Sequence, residues 1–173
     1  MIIGLDAKRA VANHTGLGNY SRFMVDILAT YHEGHNYRLF IPKKKKNSSY
    51  DKLVTHVNVH SELPQTTTMK RFSSLWRSFF IKKDLLKKGV QLYHGLSNEL
   101  PIGIHKTGIK SVVTIHDLIF LRYPEYYKPI DRKIQICVSC SRSHCGYQRM
   151  HKTGYHEFLP DSCRKNRCSI PRL

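Results

Sequence analysis

The sequence predicts an α/β fold, a doubly wound parallel sheet, and three observations carry that expectation. First, Ser111-Val112-Val113-Thr114-Ile115-His116-Asp117-Leu118 is a β-branched run that stops at a His-Asp pair. Continuous Val and Ile suit a strand buried on both faces, as parallel strands are. Second, Ile2-Ile3-Gly4-Leu5-Asp6 reads as another buried strand and ends in an acid. Third, stretches of strand character alternate with stretches of helical spacing, the pattern of βαβ units. In open α/β sheets, ligands sit outside the carboxyl ends of the strands. His116 and Asp117 are therefore candidates for chemistry by position as well as by residue type.

A chain of 173 residues with 40% hydrophobic content can bury one real core. No apolar run approaches the ~20 residues of a membrane-spanning helix. Residues 1–6 lack a basic n-region and a long apolar stretch, so no signal peptide is expected and a cytoplasmic location is. The 29 Lys and Arg against 12 Asp and Glu give a net charge of +17. That excess favours anionic partners, whether nucleic acid, acidic lipid head groups or phosphorylated substrates, without choosing among them. A basic, merely solvated surface accounts for it as well.

The elements follow in order. Residues 7–15 read as a loop leading to Gly16-Leu17-Gly18-Asn19-Tyr20. Beyond it, Tyr20, Phe23, Met24, Ile27, Leu28 and Tyr31 recur on one helical face. Strand, glycine loop and helix make the shape of a phosphate site: glycines permit close approach, and the helix start offers free N–H groups. A tight turn before a surface helix fits the same residues. Tyr37-Arg38-Leu39-Phe40-Ile41 is the next strand, closed by Pro42. The lysines at 43–46 with Asn47-Ser48-Ser49 form a charged polar loop; Asn47 would be a glycosylation acceptor only in a secreted protein. Residues 54–59 read as a short strand with Val57 and Val59 on one side, and 61–68 as a linker. Phe72, Leu75, Trp76, Phe79 and Phe80 trace an apolar stripe expected to face the core. Leu85 and Leu86 follow in a helical piece ending at Gly89. Val90-Gln91-Leu92-Tyr93-His94-Gly95 is a strand running into a polar loop, and 120–127 an aromatic loop or short helix. Three ends converge on one edge: the glycine loop, residues 94–99, and His116-Asp117.

Four stretches together resemble a known family. Gly4-Leu5-Asp6-Ala7-Lys8-Arg9, Thr15-Gly16-Leu17-Gly18-Asn19-Tyr20, His94-Gly95-Leu96-Ser97-Asn98-Glu99-Leu100-Pro101, and Thr114-Ile115-His116-Asp117-Leu118 with Tyr123-Pro124-Glu125 stand in order at plausible intervals. Residues 1–134 resemble the N-terminal half of a family 4 glycosyltransferase, one of the two facing Rossmann-like domains of the GT-B architecture. The resemblance implies an acceptor-side domain whose partner domain binds a nucleotide-sugar. It implies that Gly16, Gly18 and Asn19 lie beside the donor diphosphate, and that His116 lies near the transferred sugar. Asp117 would hold the local turn, and His94, Asn98 and Glu99 would line the acceptor side. Such enzymes transfer a hexose such as mannose to a glycan or lipid-linked acceptor, usually retain anomeric configuration and use no catalytic metal, so no cofactor is expected. Peripheral contact with a membrane would fall at residues 43–46 or at the Trp76 helix. The donor domain, with its paired glutamates and basic clamp, has no counterpart in these 173 residues, so a truncated and inactive fragment is expected.

Residues 135–173 carry all five cysteines: Cys137, Cys140, Cys145, Cys163 and Cys168. Cys137 and Cys140 have zinc-ligand spacing, with His144 and Cys145 close by. On a basic protein this suggests the alternative class, a zinc-stabilised nucleic-acid-binding protein. The genetic code offers a second reading. Shifted by one base from Ser141, the tail back-translates to ADRIVAINECTKRDI and continues as MNFFQIPAEKIDVVYQG. The shifted text supplies a helix, a buried strand Ile-Val-Ala-Ile, another helix and a second strand Ile-Asp-Val-Val. A single-base deletion or miscall near Ile134 explains the cysteine clustering, the lost hydrophobic pattern and the missing donor domain together, and nucleic acid is then not an expected partner.

That hypothesis has a direct check. Sequencing the DNA around codon 134 and downstream is expected to show an open shifted frame that encodes a donor domain. A downstream sequence with no such domain in that frame would refute it.

Overall fold

The computed structural model describes residues 1–117, 119 and 123–126. The chain divides into two units, Met1–His116 and a second that begins at Asp117. The expected boundary at residue 134, and the tail beyond it, lie outside the described residues.

The first unit is an α/β structure. In order it comprises β1 (Ile2–Asp6), α1 (Lys8–Ala12), α2 (Gly16–Tyr31), β2 (Asn36–Phe40), α3 (Ser48–Leu53) and β3 (Val59–Glu62). Then come α4 (Thr67–Arg71), α5 (Ser73–Leu75), a π-helical turn (Trp76–Phe80), α6 (Ile81–Lys87), β4 (Leu92–Gly95) and β5 (Lys110–Val113). The five strands form one parallel sheet in the order β3-β2-β1-β4-β5. The chain leaves β1 in one direction through β2 and β3, then returns to the other side of β1 with β4 and β5. Such a reversal is a topological switch point, where parallel sheets open a crevice at their carboxyl ends.

The sheet is covered on both sides, as a parallel sheet requires. Ile3 and Leu5 pack on one face with Val11, Val25, Tyr37 and Leu39. Phe40, Trp76, Ile81, Leu85 and Tyr93 fill the other. Gly4 lies on this second face, where a Cβ would stand 3.1 Å from Tyr93 and Val90. A side chain there would require these large neighbours to give by a few tenths of an ångström. Burying a Leu such as Leu5 or Leu39 stabilises the fold by about 1.5–3 kcal/mol.

Several elements differ from the sequence expectation, each for a physical reason. Residues 7–15 include a helix, α1, and Gly16 and Gly18 lie inside α2 rather than before it. A Cβ at Gly18 would fall 1.8 Å from the Asn13 carbonyl oxygen, so the first turn of α2 rests directly on backbone. The inward face of α2 is Gly18, Ser21, Arg22, Val25 and Ala29, while Phe23 and Tyr31 are exposed. Small residues let the helix come close, and Arg22 is satisfied by the carbonyls of Ala10 and Asn13, each at 2.8 Å.

Residues 54–58 are not strand: α3 precedes them, Val57 is exposed, and β3 starts at Val59. Asn47 is buried rather than part of an open loop. Its Oδ1 accepts from Tyr50 N–H at 3.2 Å, capping α3, and its Nδ2 donates to the Val11 carbonyl at 3.0 Å.

The aromatic stripe is the largest correction. Only Trp76 of its five members is buried, while Phe72, Leu75, Phe79 and Phe80 are exposed. At α-helical spacing Trp76 and Phe80 would share a face. The π turn, whose Ile81 N–H bonds the Trp76 carbonyl five residues back, shifts the register. Trp76 now lines up with Ile81 and Leu85 in the core, and its Nε1 donates to Asp84 at 2.6 Å.

The run from Ser111, expected to be buried on both faces, is also corrected. β5 pairs with β4 alone among the described residues, and Val112 is 45% exposed. It is an edge strand of the described sheet. No helix among the described residues is long and apolar enough to cross a membrane.

Candidate functional site

The carboxyl ends of β1, β4 and β5 meet at the switch-point edge, and two polar groups of residues are built there. The first is organised around Asp6, the last residue of the central strand. Asp6 is 2% exposed, so its charge needs a partner. Arg77, from the π turn, donates to Asp6 Oδ2 at 2.7 Å. Its other guanidinium nitrogen pairs with Glu99 in the loop after β4. Asp6 Oδ1 also accepts from the Lys8 N–H at 3.2 Å. Burial opposes the charge on Arg77, and the two carboxylates outweigh it, holding the guanidinium more firmly protonated. Burial lowers the pKa of the Lys8 ammonium, and the Arg77 charge adds to that. Beside them Tyr93 is wholly buried, and burial, then Asp6, pushes its phenol well up.

The second group is organised around His116. Its main-chain N–H donates to Asn98 Oδ1 at 2.8 Å, and its Nε2 bonds the Leu96 carbonyl at 2.9 Å. A carbonyl can only accept, so Nε2 carries the proton and Nδ1 is the ring atom left for a ligand. Asn98 adopts φ 57 and closes its own loop by donating its N–H to the Thr114 carbonyl at 2.9 Å. Asn tolerates this left-handed backbone better than most residues. Gly95 completes the bend, since a Cβ there would meet the Glu99 carbonyl oxygen at 2.1 Å. The Tyr20 ring stands edge-on to His116, with centroids 4.8 Å apart. Tyr20 Oη and His94 Nε2 both bond Thr114 Oγ1, at 3.1 and 2.9 Å. Burial lowers the pKa of His94, which is therefore neutral at physiological pH.

The structure thus brings together His94, Asn98, Glu99 and His116. Asp117 belongs to the second unit, where its Oδ1 accepts from the Ile119 N–H at 3.2 Å, an Asx turn. Gly16 is exposed at the start of α2, whose first turn has no side-chain cap and no acidic residue. Gly18 is packed against the preceding loop, and the Asn19 side chain is bonded to Arg22. Among the described residues no group of three or more His, Cys, Asp or Glu could hold a metal ion. All five cysteines lie outside the described residues.

Sequence reasoning missed Arg77, Tyr20 and Thr114. Arg77 was hidden inside an apolar stripe, and only the π turn aims it at Asp6. Tyr20 was counted with the apolar face of α2, although its ring carries a polar handle. Asp6 was legible only as the acid that ends β1, and its need for a distant cation was not drawn from the sequence.

Two measurements probe these groups. Arg77→Met is expected to cost about 3–5 kcal/mol in urea denaturation, because it leaves buried Asp6 unpaired. Adding Asp6→Asn to Arg77→Met is expected to recover part of that loss; no recovery would show that Arg77 does not act through Asp6. For His94 the sign follows from its lowered pKa. The unfolded chain takes up the proton first, so the His94 contribution is complete above the ordinary histidine value and is lost as pH falls below it. His94→Asn is expected to flatten the acid-side decline of stability relative to the parent chain. Parallel pH profiles for the two would contradict the neutral, buried assignment.

Comparison with known proteins finds no matching protein family, no matching curated protein and no matching solved structure, so the chemistry of this edge rests on its own groups.

Proposed function

We propose that this chain is the acceptor-side domain of a family 4 glycosyltransferase of GT-B architecture. Together with a donor-side domain it would transfer a hexose such as mannose from a nucleotide-sugar to a glycan or lipid-linked acceptor. The observation that carries the reading is the seat of His116: a histidine clamped by Asn98 and the Leu96 carbonyl at the switch-point edge, beside Tyr20 of α2. In the reaction the acceptor hydroxyl oxygen bonds to the anomeric carbon and its proton passes to the departing phosphate oxygen. The bond from that carbon to the phosphate oxygen breaks, and the nucleoside diphosphate leaves with the electron pair.

Each group has a part in that scheme. His116 turns Nδ1 to the transferred sugar, and its Nε2 bond fixes the ring orientation. The uncapped start of α2 at Gly16 offers N–H groups to the leaving diphosphate, where anions are favoured. Gly18 and Asn19 serve by shaping that turn. Asn98 positions His116 and keeps its Nδ2 for an acceptor hydroxyl. His94 sets Thr114 and Tyr20 from beneath, while Glu99, tied to Arg77, holds the loop. Asp117 holds the turn that follows His116.

That β5 has no neighbour on its outer side among the described residues supports the shifted reading frame as well. A parallel sheet with an exposed Val112 on its outer strand wants a further strand and a covering helix. The shifted text offers a helix followed by Ile-Val-Ala-Ile.

The test is sugar transfer. With the frame restored and the donor domain present, transfer from nucleotide-sugars is expected, and His116→Ala should lower kcat/KM about 100-fold. The 173-residue chain alone is expected to transfer nothing, because on this reading a single Rossmann-like domain supplies one wall of the two-walled GT-B cleft. Transfer by that chain alone, or full activity of His116→Ala, would overturn the proposal.

A further inference from the structure

Around the π turn an apolar face lies outside the core. Phe72 is 57% exposed and Phe79 46%, with Leu75, Phe80 and Leu86 exposed along the same helical stretch. Ile102 joins them, because its N–H donates to the Ser78 carbonyl at 2.8 Å. Lys82 lies over the adjoining turn: a Cβ on Gly103 would stand 3.0 Å from its Nζ. Lys83 is exposed on the next turn, and Lys70 and Arg71 at the preceding end.

The charge around this face is one-sided for a structural reason. Between residues 66 and 106 the sequence holds two carboxylates, Asp84 and Glu99. Both are turned to internal partners, Asp84 to the Trp76 indole and Glu99 to Arg77. The face therefore presents aromatic and aliphatic side chains flanked by Lys70, Arg71, Lys82 and Lys83, which form no ion pair among the described residues.

We propose that this face is a peripheral docking surface for an anionic lipid bilayer. The side-chain chemistry chooses that occupant. Aromatics and leucines that enter the acyl boundary, flanked by lysines at head-group level, match an interfacial element. A nucleic acid would meet Leu75, Leu86 and Ile102 where it needs polar or stacking partners. The same π turn carries Arg77 to the switch-point edge, so docking would hold that edge beside the membrane. This inference does not rest on the glycosyltransferase reading, and vesicle binding needs no nucleotide-sugar, so the two can fail separately.

The experiment is co-sedimentation of the 173-residue chain with vesicles of phosphatidylcholine alone or mixed equally with phosphatidylglycerol. Binding to the anionic vesicles is expected, with far less to the neutral ones, and each interfacial lysine should be worth about fivefold. Phe79→Ser with Phe80→Ser should weaken binding at least about tenfold, and Lys82→Glu with Lys83→Glu should do the same. Trp76 is the one tryptophan of the chain and is buried, so unchanged emission reports an intact fold. If the phenylalanine pair fails to fold, the lysine pair decides. Anionic binding that survives either folded variant unchanged would overturn the proposal. So would equal binding to neutral vesicles, or binding to an acidic protein with none to vesicles.

Discussion

A carboxylate at the end of the central strand must be paired, and much of the first unit is arranged around that requirement. Asp6 lies where β1 leaves the sheet, almost without access to water. An isolated charge in that place would cost several kcal/mol. Its cation comes from Arg77, 71 residues further along the chain, and the π turn is the device that delivers it. An uninterrupted α-helix could present Trp76 to the core, or Arg77 to Asp6, but would then keep the phenylalanines on the tryptophan side. One extra residue in the turn satisfies the ion pair and the core together. It also expels Phe79 and Phe80 to the surface. The internal electrostatics and the exposure of Phe79 and Phe80 are thus two results of one register shift.

The loop after β4 is tied to the same interaction from the other side. Glu99 closes the Asp6–Arg77 pair into a triad. One residue earlier, Asn98 takes a left-handed backbone and reaches across to the His116 N–H. Gly95 makes room for this bend because the Glu99 carbonyl lies where a Cβ would be. The two polar groups at the strand ends therefore share a short, tightly determined loop. His116 is fixed at main chain and ring alike, and orientation of that kind is what a group acting on a ligand needs.

How much of this could be read from the residues depends on which period dominated each stretch. β1, β2 and β4 were legible because their apolar runs are short, β-branched or aromatic, and bounded by polar residues. The placing of His94 and His116 at strand ends was legible from the apolar runs that precede them. The inward face of α2 was not, because its packing uses Gly18, Ser21 and Ala29, which carry no hydrophobic signal, and an arginine whose charge is spent on carbonyls. The 72–80 stripe was misjudged because periodicity at 3.6 residues assumes an unbroken helix. The valines near 57 were misjudged because β-branching alone does not place a strand. β5 was right as an element and wrong in its burial, since the pattern of a strand cannot say whether it has a neighbour on both sides.

The charge excess of the chain looks different once its carboxylates are located. At the switch-point edge Asp6 and Glu99 stand with Arg77 and Lys8, and the charge of Arg9 also acts on Lys8. The uncapped first turn of α2 adds a positive potential of its own to these side chains. It would act over a short range, within the first turn of the helix. The surplus cations lie on surfaces such as the aromatic face, where they are solvated and long-ranged at low salt. The two proposed anionic partners are thus separated by mechanism as well as by place. A leaving diphosphate would be recognised by backbone N–H groups in fixed geometry, whereas a bilayer would be recognised by a diffuse field and a few buried rings. Salt should weaken the second far more than the first, because only the second depends on charges that share their field with the solvent.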